Sequence, residues 1–354
     1  QYGELTSRIE VIQGETFSDS YQYDSYGNII QETYPSGVSV TNEYDSKGFP
    51  EKITKNPGNI VIWEFIDEDK PGMITEYTRG PGLNTTIEYD EKGFPSNFLT
   101  SYQSAEFQDM DMVFDPSSGN LLSRVDNRWQ LTESFQYDNL DRLIYAGVTG
   151  GAQLNIDYTA NGNILFKNDA GDYSYHQTKS NAVLEIKNNP LTIPPTEQEI
   201  DYTPFNKAWQ ISEDGKELTL IYGPDQQRRK SVYTEGSLER TTIYGINYEK
   251  VSVPGSTKHI YYLHSPTGLA AVVIKGGTED VYFTTTDHLG SVTGLVDVSC
   301  QNLVEEYSFD AWGRRRNPVD WSYDYVPVPL YLTRGYTGHE HLDEFGLINM
   351  NGRM

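Results

Sequence analysis

The chain has 354 residues, a net charge of −24 and 13 % aromatic residues, 27 of them tyrosine. So many rings exclude a disordered chain. The charge excludes general binding to phosphate backbones or anionic membranes, and the single cysteine, Cys300, excludes an intrachain disulfide. No apolar run approaches the roughly 18 residues of a membrane span. The first residues, Gln1-Tyr2-Gly3-Glu4, begin in mid-pattern without a signal peptide, which reads as a piece of something longer.

Taken in chain order, one unit recurs: an aromatic residue, Asp, two variable residues and Gly. It appears as Tyr23-Asp24-Ser25-Tyr26-Gly27, Tyr44-Asp45-Ser46-Lys47-Gly48 and Tyr89-Asp90-Glu91-Lys92-Gly93, and again as Phe309-Asp310-Ala311-Trp312-Gly313. Looser copies start at Phe114, Tyr137, Tyr158 and Tyr202, with Asp141 and Asn206 standing where Gly is lost. The unit is a turn with a mechanism. Asp at the first position accepts a backbone hydrogen bond from two residues on, and Gly at the fourth takes the left-handed conformation that closes a hairpin. Between Tyr23 and Tyr44 the order is strand Asn28–Tyr34, turn Pro35-Ser36-Gly37 and strand Val38–Tyr44, so each repeat is one β-hairpin. The next unit turns at Asn56-Pro57-Gly58-Asn59.

Strands such as Thr86-Ile87-Glu88-Tyr89 alternate with period two, which predicts an antiparallel sheet with one packed and one wet face. No useful stretch has a 3.6-residue period, so helix is expected to be minor. Residues 181–199, with Pro190, Pro194 and Pro195, read as an irregular loop or insertion. The fold class expected is all-β: one long, continuous antiparallel sheet of consecutive hairpins, each unit burying itself against its neighbours.

The unit resembles the YD or RHS repeat of bacterial Rhs toxins, of the C components of insecticidal Tc toxins, of wall-associated bacterial proteins and of animal teneurins. Residues 281–354 resemble the RHS-associated core that follows such repeats. Four strings carry that resemblance: Thr286-Asp287-His288-Leu289-Gly290-Ser291-Val292, then Glu306–Arg314 containing Asp310 and Gly313, then Tyr336-Thr337-Gly338-His339-Glu340, then Gly346–Arg353. The organisation expected is therefore hairpin repeats over 1–280 and the core over 281–354, packed continuously with them. The resemblance implies a ribbon spiralling into a hollow shell, secreted or on a bacterial surface, that encloses or presents its own C-terminal effector or toxin. The number of repeats fits an open, curved fragment of such a shell. It also implies, in longer relatives, an Asp-Pro-rich self-cleaving stretch after the core. This sequence ends at Met354, where that continuation belongs, and Arg353 lacks its acidic partners, so no catalysis is expected from these residues.

His339-Glu340-His341-Leu342-Asp343-Glu344 has two histidines that share a strand face and a carboxylate nearby, enough for a divalent ion, but the core motif accounts for His339 and Glu340 without one. Asp287, His288 and Ser291 contain the parts of a triad, yet Asp-x-x-Gly is this chain's turn signature. Gly276-Gly277 opens no phosphate loop, so no nucleotide and no other cofactor is indicated. Arg314-Arg315-Arg316 reads as local ion pairing rather than a nucleic-acid patch. Cys300 carries no chemistry. The tyrosine stripe either packs as cross-strand ladders or stacks on sugars, which makes a carbohydrate-binding module the alternative function.

Overall fold

The computed structural model describes residues 3–188 and 196–351. The chain is all-β, and its strands form two long antiparallel sheets of 17 and 11 strands rather than one continuous sheet. Within each sheet every strand pairs with the next in sequence. The first runs from Ser7–Ile12 to Val183–Lys187, the second from Glu199–Tyr202 to Leu303–Glu306. Strands Val183–Lys187 and Glu199–Tyr202, on either side of the break, do not pair with each other. The segment 181–199 is nevertheless not loop throughout. Val183-Leu184-Glu185-Ile186-Lys187 pairs with Gly171–Tyr175, since its β-favouring residues precede the first proline. Pro190, Pro194 and Pro195 lie outside the described residues. The expected boundary at 280/281 falls inside strand Glu279–Thr286; regular sheet gives way only after Glu306.

Two kinds of turn alternate along each ribbon, and the aromatic-Asp turns share one rim. At Asp24 the carboxylate Oδ1 accepts from the N–H of Tyr26 at 2.8 Å and of Asn28 at 2.9 Å, while Gly27 N–H donates to the Asp24 carbonyl. Asp45 and Asp90 repeat this with Lys47 and Phe49, and with Lys92 and Phe94. Gly27, Gly48 and Gly93 sit at φ near +90°, which closes a three-residue turn with a bulge. The Asn28 side-chain amide, donating to Asp24 Oδ2 at 2.9 Å, and then the backbone bonds hold the Asp24 carboxyl below its usual range. The backbone donors, Phe49 N–H first among them, do the same for Asp45.

The tyrosine of the unit has its own task. Its hydroxyl donates to a carbonyl at or beside the start of the preceding strand: Tyr44 to Ile29 at 2.9 Å, Tyr89 to Ile74 at 3.1 Å, Tyr137 to Leu121 at 3.0 Å and Tyr158 to Leu143 at 2.8 Å. Tyr23, Tyr175 and Tyr222 do the same to Leu5, Ile164 and Ala208. Each bond ties one hairpin to the turn of the one before it.

The faces are covered by winding. Tyr261, Leu263 and Phe283 of the second sheet pack into one core with Phe17, Trp63 and Tyr77 of the first, each fully buried apolar side chain contributing roughly 1.5–3 kcal/mol. Polar contacts between the sheets advance in step. Lys250 meets Glu15, Lys55 meets Glu279, the Arg79 guanidinium meets the Thr284 carbonyl, and Gln108 donates to the Thr286 carbonyl at 3.0 Å. Their sequence separations are 235, 224, 205 and 178 residues, so a later turn of the ribbon lies along an earlier one in the same direction. The opposite face of the second sheet, with Ile260, Tyr262 and Val272, is covered by Tyr307, Phe309 and Leu332 of the C-terminal segment. Both faces of strand Ser256–Ser265 are thus buried, which explains its unalternating run Ile260-Tyr261-Tyr262-Leu263.

The tyrosine tie predicts a selective effect. Tyr44→Phe is expected to lower unfolding stability by about 1 kcal/mol in urea titration, removing one of two side-chain donors to the Ile29 carbonyl, the other being Asn42 at 2.9 Å. Tyr26→Phe, at a 90 % exposed ring, is expected to change nothing measurable.

Candidate functional site: the seat of the C-terminal segment

After Glu306 the chain leaves the second sheet and crosses back over both. The four strings singled out in the sequence converge here. Asp287 forms the same turn as Asp24, its Oδ1 accepting from Leu289 N–H at 2.9 Å and Ser291 N–H at 2.8 Å. The Ser291 hydroxyl is buried and accepts from Thr337 N–H at 3.0 Å, so acid, imidazole and hydroxyl of this string do not form a relay. His288 instead packs edge-on to Phe114, 5.6 Å away, which joins the core turn to a repeat turn. Burial shifts its titration downward.

Asp310 repeats the turn with Trp312 and Arg314, and its second oxygen accepts from Tyr323 at 2.8 Å. Gly313 has φ +85°, and a Cβ there would lie 2.6 Å from Tyr336 and 2.7 Å from Ile348, so only glycine fits. Gly338 lies against Gly290. Gly335, which the sequence reading passed over, is as tightly held, between Phe309 and His341. The structure therefore gathers Asp287, His288, Gly290, Asp310, Gly313 and Gly338 into one junction. Tyr23, Asp24, Gly27, Tyr44, Asp45, Gly48, Tyr89, Asp90 and Gly93 stay strung along the rim. Arg353 lies outside the described residues.

Two buried ionic knots fix the segment. Glu133, on the first sheet, accepts from Arg124 at 2.7 and 2.9 Å and from Arg316 at 2.9 Å. Arg124 also donates to the Phe309 carbonyl at 2.7 Å, and the Trp321 ring lies 4.1 Å from the Arg316 guanidinium carbon. Burial alone would raise the Glu133 carboxyl, but the two guanidiniums outweigh it and hold it below the usual carboxylate range. On the second sheet Glu340 pairs with Arg228 and accepts from Tyr244 at 2.9 Å, while Arg334 donates to Glu249 at 2.7 Å. Arg228 and Arg334 lie 3.9 and 4.4 Å from the rings of Tyr244 and Tyr262. Apart from Arg124 and Glu133, which face each other across one hairpin, these pairs join residues about 85 to 185 apart and leave no local pattern in the sequence.

The histidines are engaged separately. His339 Nδ1 is 2.8 Å from the Thr337 hydroxyl, and His341 Nε2 accepts from Tyr336 N–H at 3.0 Å. Burial, aided by Arg315 and His339, pushes His341 down to about 3, so its ring is neutral and its lone pair is used. Glu340, between them, is turned to Arg228. A cavity of about 50 Å³ remains beside Arg124, Arg128, Asp126 and Glu306, room for one or two waters. Cys300 is buried, and burial raises its thiol to about 11. The seven tied tyrosines are half-buried, with hydroxyls given to backbone carbonyls.

No protein-family model and no curated protein matches this sequence. Solved structures do. The crystal structure of TcdB2-TccC3-Cdc42 matches over 96 % of this chain at a TM-score of 0.76 and 14 % identity. TcdB2-TccC3 without its hypervariable C-terminal region matches over 96 % at 0.76 and 15 %. The Tc holotoxin pore of Photorhabdus luminescens, with a substitution in TccC3, matches over 95 % at 0.74 and 15 %. The fold is thus that of these Tc toxin components, and the chain spans about a fifth of the length of the chains it matches.

Two variants test the seat. Glu133→Gln leaves two buried guanidiniums without a carboxylate and is expected to cost about 3–5 kcal/mol in chemical denaturation. Because the folded carboxyl titrates below its unfolded value, its contribution is complete above the ordinary carboxylate range and is lost as pH falls from there through the lower folded value. The variant's stability should therefore fall less steeply below pH ~5 than the wild type's. Gly313→Ala should destabilise more than Gly48→Ala, whose added Cβ meets nothing within 4 Å at a similar φ.

Proposed function

We propose that this chain is a stretch of wall in a secreted bacterial toxin shell, without catalysis of its own, whose effector follows the C-terminal segment in the full protein. One observation carries the reading. The ribbon winds on itself with inter-turn separations of 178 to 235 residues, as a spiralling wall requires, and the likeness to the Tc components runs along almost its whole length. On this view residues 1–280 are wall, and 281–354 finish the wall and anchor what comes after it. The hypervariable C-terminal region named for one similar structure supplies the model for the effector. The tied tyrosines favour wall over a sugar-stacking platform, since their hydroxyls are already used.

Protease protection of the natural gene product decides it. Polypeptide downstream of residue 351 is expected to resist digestion until the β-structure unfolds. Digestion of that polypeptide at the rate of a free peptide, with the sheets intact, contradicts the proposal.

A further inference from the structure

The stretch after the last sheet strand is built unlike the rest. From Asn317 to Thr333 no residue lies in a strand, and Tyr325, Val328 and Leu330 are 96, 79 and 75 % exposed. Pro327 and Pro329 stiffen this strap without giving it a partner. Beyond it, Arg334–Asn349 forms tight turns and a hairpin of two three-residue strands, Glu340–Leu342 and Leu347–Asn349, which joins neither large sheet. A two-stranded hairpin of this size has almost no stability alone. What holds it is mostly side-chain contact: Leu342 and Phe345 against Leu218 and Tyr233, and the pairs Arg334–Glu249 and Arg228–Glu340, with one backbone bond from Val292 N–H to the Gly335 carbonyl at 3.1 Å.

Those ionic contacts are incomplete. Buried guanidinium nitrogens of Arg228, Arg314, Arg315 and Arg334 have no hydrogen-bond partner. A buried charge loses its hydration and recovers that loss only when every donor is met. Such an interface fixes geometry strongly while adding little net stability.

We propose that residues 334–349 are a detachable latch. Strap 317–333 is anchored at its near end by Arg316 on Glu133 and at its far end by Tyr331 and Leu332 on the second sheet. The latch therefore hinges after Thr333 and leaves while strap and both sheets stay in place. Opening uncovers the face carrying Tyr244, Tyr262 and Leu218 and frees whatever chain follows the latch. The latch does not depend on whether anything is enclosed.

Hydrogen exchange of the full chain by mass spectrometry, at rising urea below the unfolding transition, tests this. Amides of 340–349 should exchange faster than those of strands Ser256–Ser265 and Gly268–Lys275, with weaker urea dependence. Glu249→Gln and Arg228→Met should each accelerate the latch about tenfold or more while leaving those two strands unchanged. Latch and strands exchanging in the wild type at one rate with one urea dependence would overturn the proposal. So would folded variants in which latch and strands accelerate together, or in which the latch does not accelerate. If a variant fails to fold, the wild-type urea profile decides alone.

Discussion

A ribbon of amphipathic hairpins cannot cover its own apolar face, and the rest of this structure follows from that constraint. A helix bundle or sandwich closes by bringing distant elements together once. Here each strand is satisfied laterally by its sequence neighbour, so the face must be covered by the same ribbon some 200 residues later. The inner turn must in turn be covered on its far side, and the irregular C-terminal segment does this. The result is layered: first sheet, second sheet, then the segment from Tyr307 onward.

The chemistry follows the layers. Along the rim, polar groups are local and exposed: the aspartates bond their own turns, and the tyrosines bond the turn before. Between layers, polar groups are long-range and buried. Arg79, wholly enclosed, has a carbonyl and the Thr85 hydroxyl for partners and the Tyr77 ring beside it, and burial lowers its affinity for its proton. Such groups fix which residue of one turn meets which residue of the next, a register that apolar packing alone leaves loose. Many of these inter-layer contacts supply a lysine or arginine, among them Lys55, Arg79, Arg124 and Arg316.

Much of the fold could be read from the residues. The turn unit, the hairpin spacing and the period-two strands identify an all-β ribbon, because each is set by residues within about five positions of one another. The four core strings were visible for the same reason, and the junction they form explains why glycines recur in them. The turns after Tyr175 and Tyr222 were missed, since His176 and Gly223 stand where Asp was sought; the tyrosine tie and the turn bonds identify them. The division into two sheets was blurred by the strand preceding the prolines. The ionic seat of the C-terminal segment was not legible at all. Glu133 and Glu249 look like surface glutamates in sequence; Arg124 faces Glu133 across its own hairpin, but only the return of the C-terminal segment brings Arg316 to Glu133 and Arg334 to Glu249.

The most direct test of the winding is a double-mutant cycle on Lys55 and Glu279, 224 residues apart and paired across the two sheets. The wound structure predicts a coupling free energy of about 0.5–3 kcal/mol between Lys55→Met and Glu279→Gln in equilibrium unfolding. Additive effects, with no coupling beyond about 0.3 kcal/mol, would mean that the later turn does not lie on the earlier one.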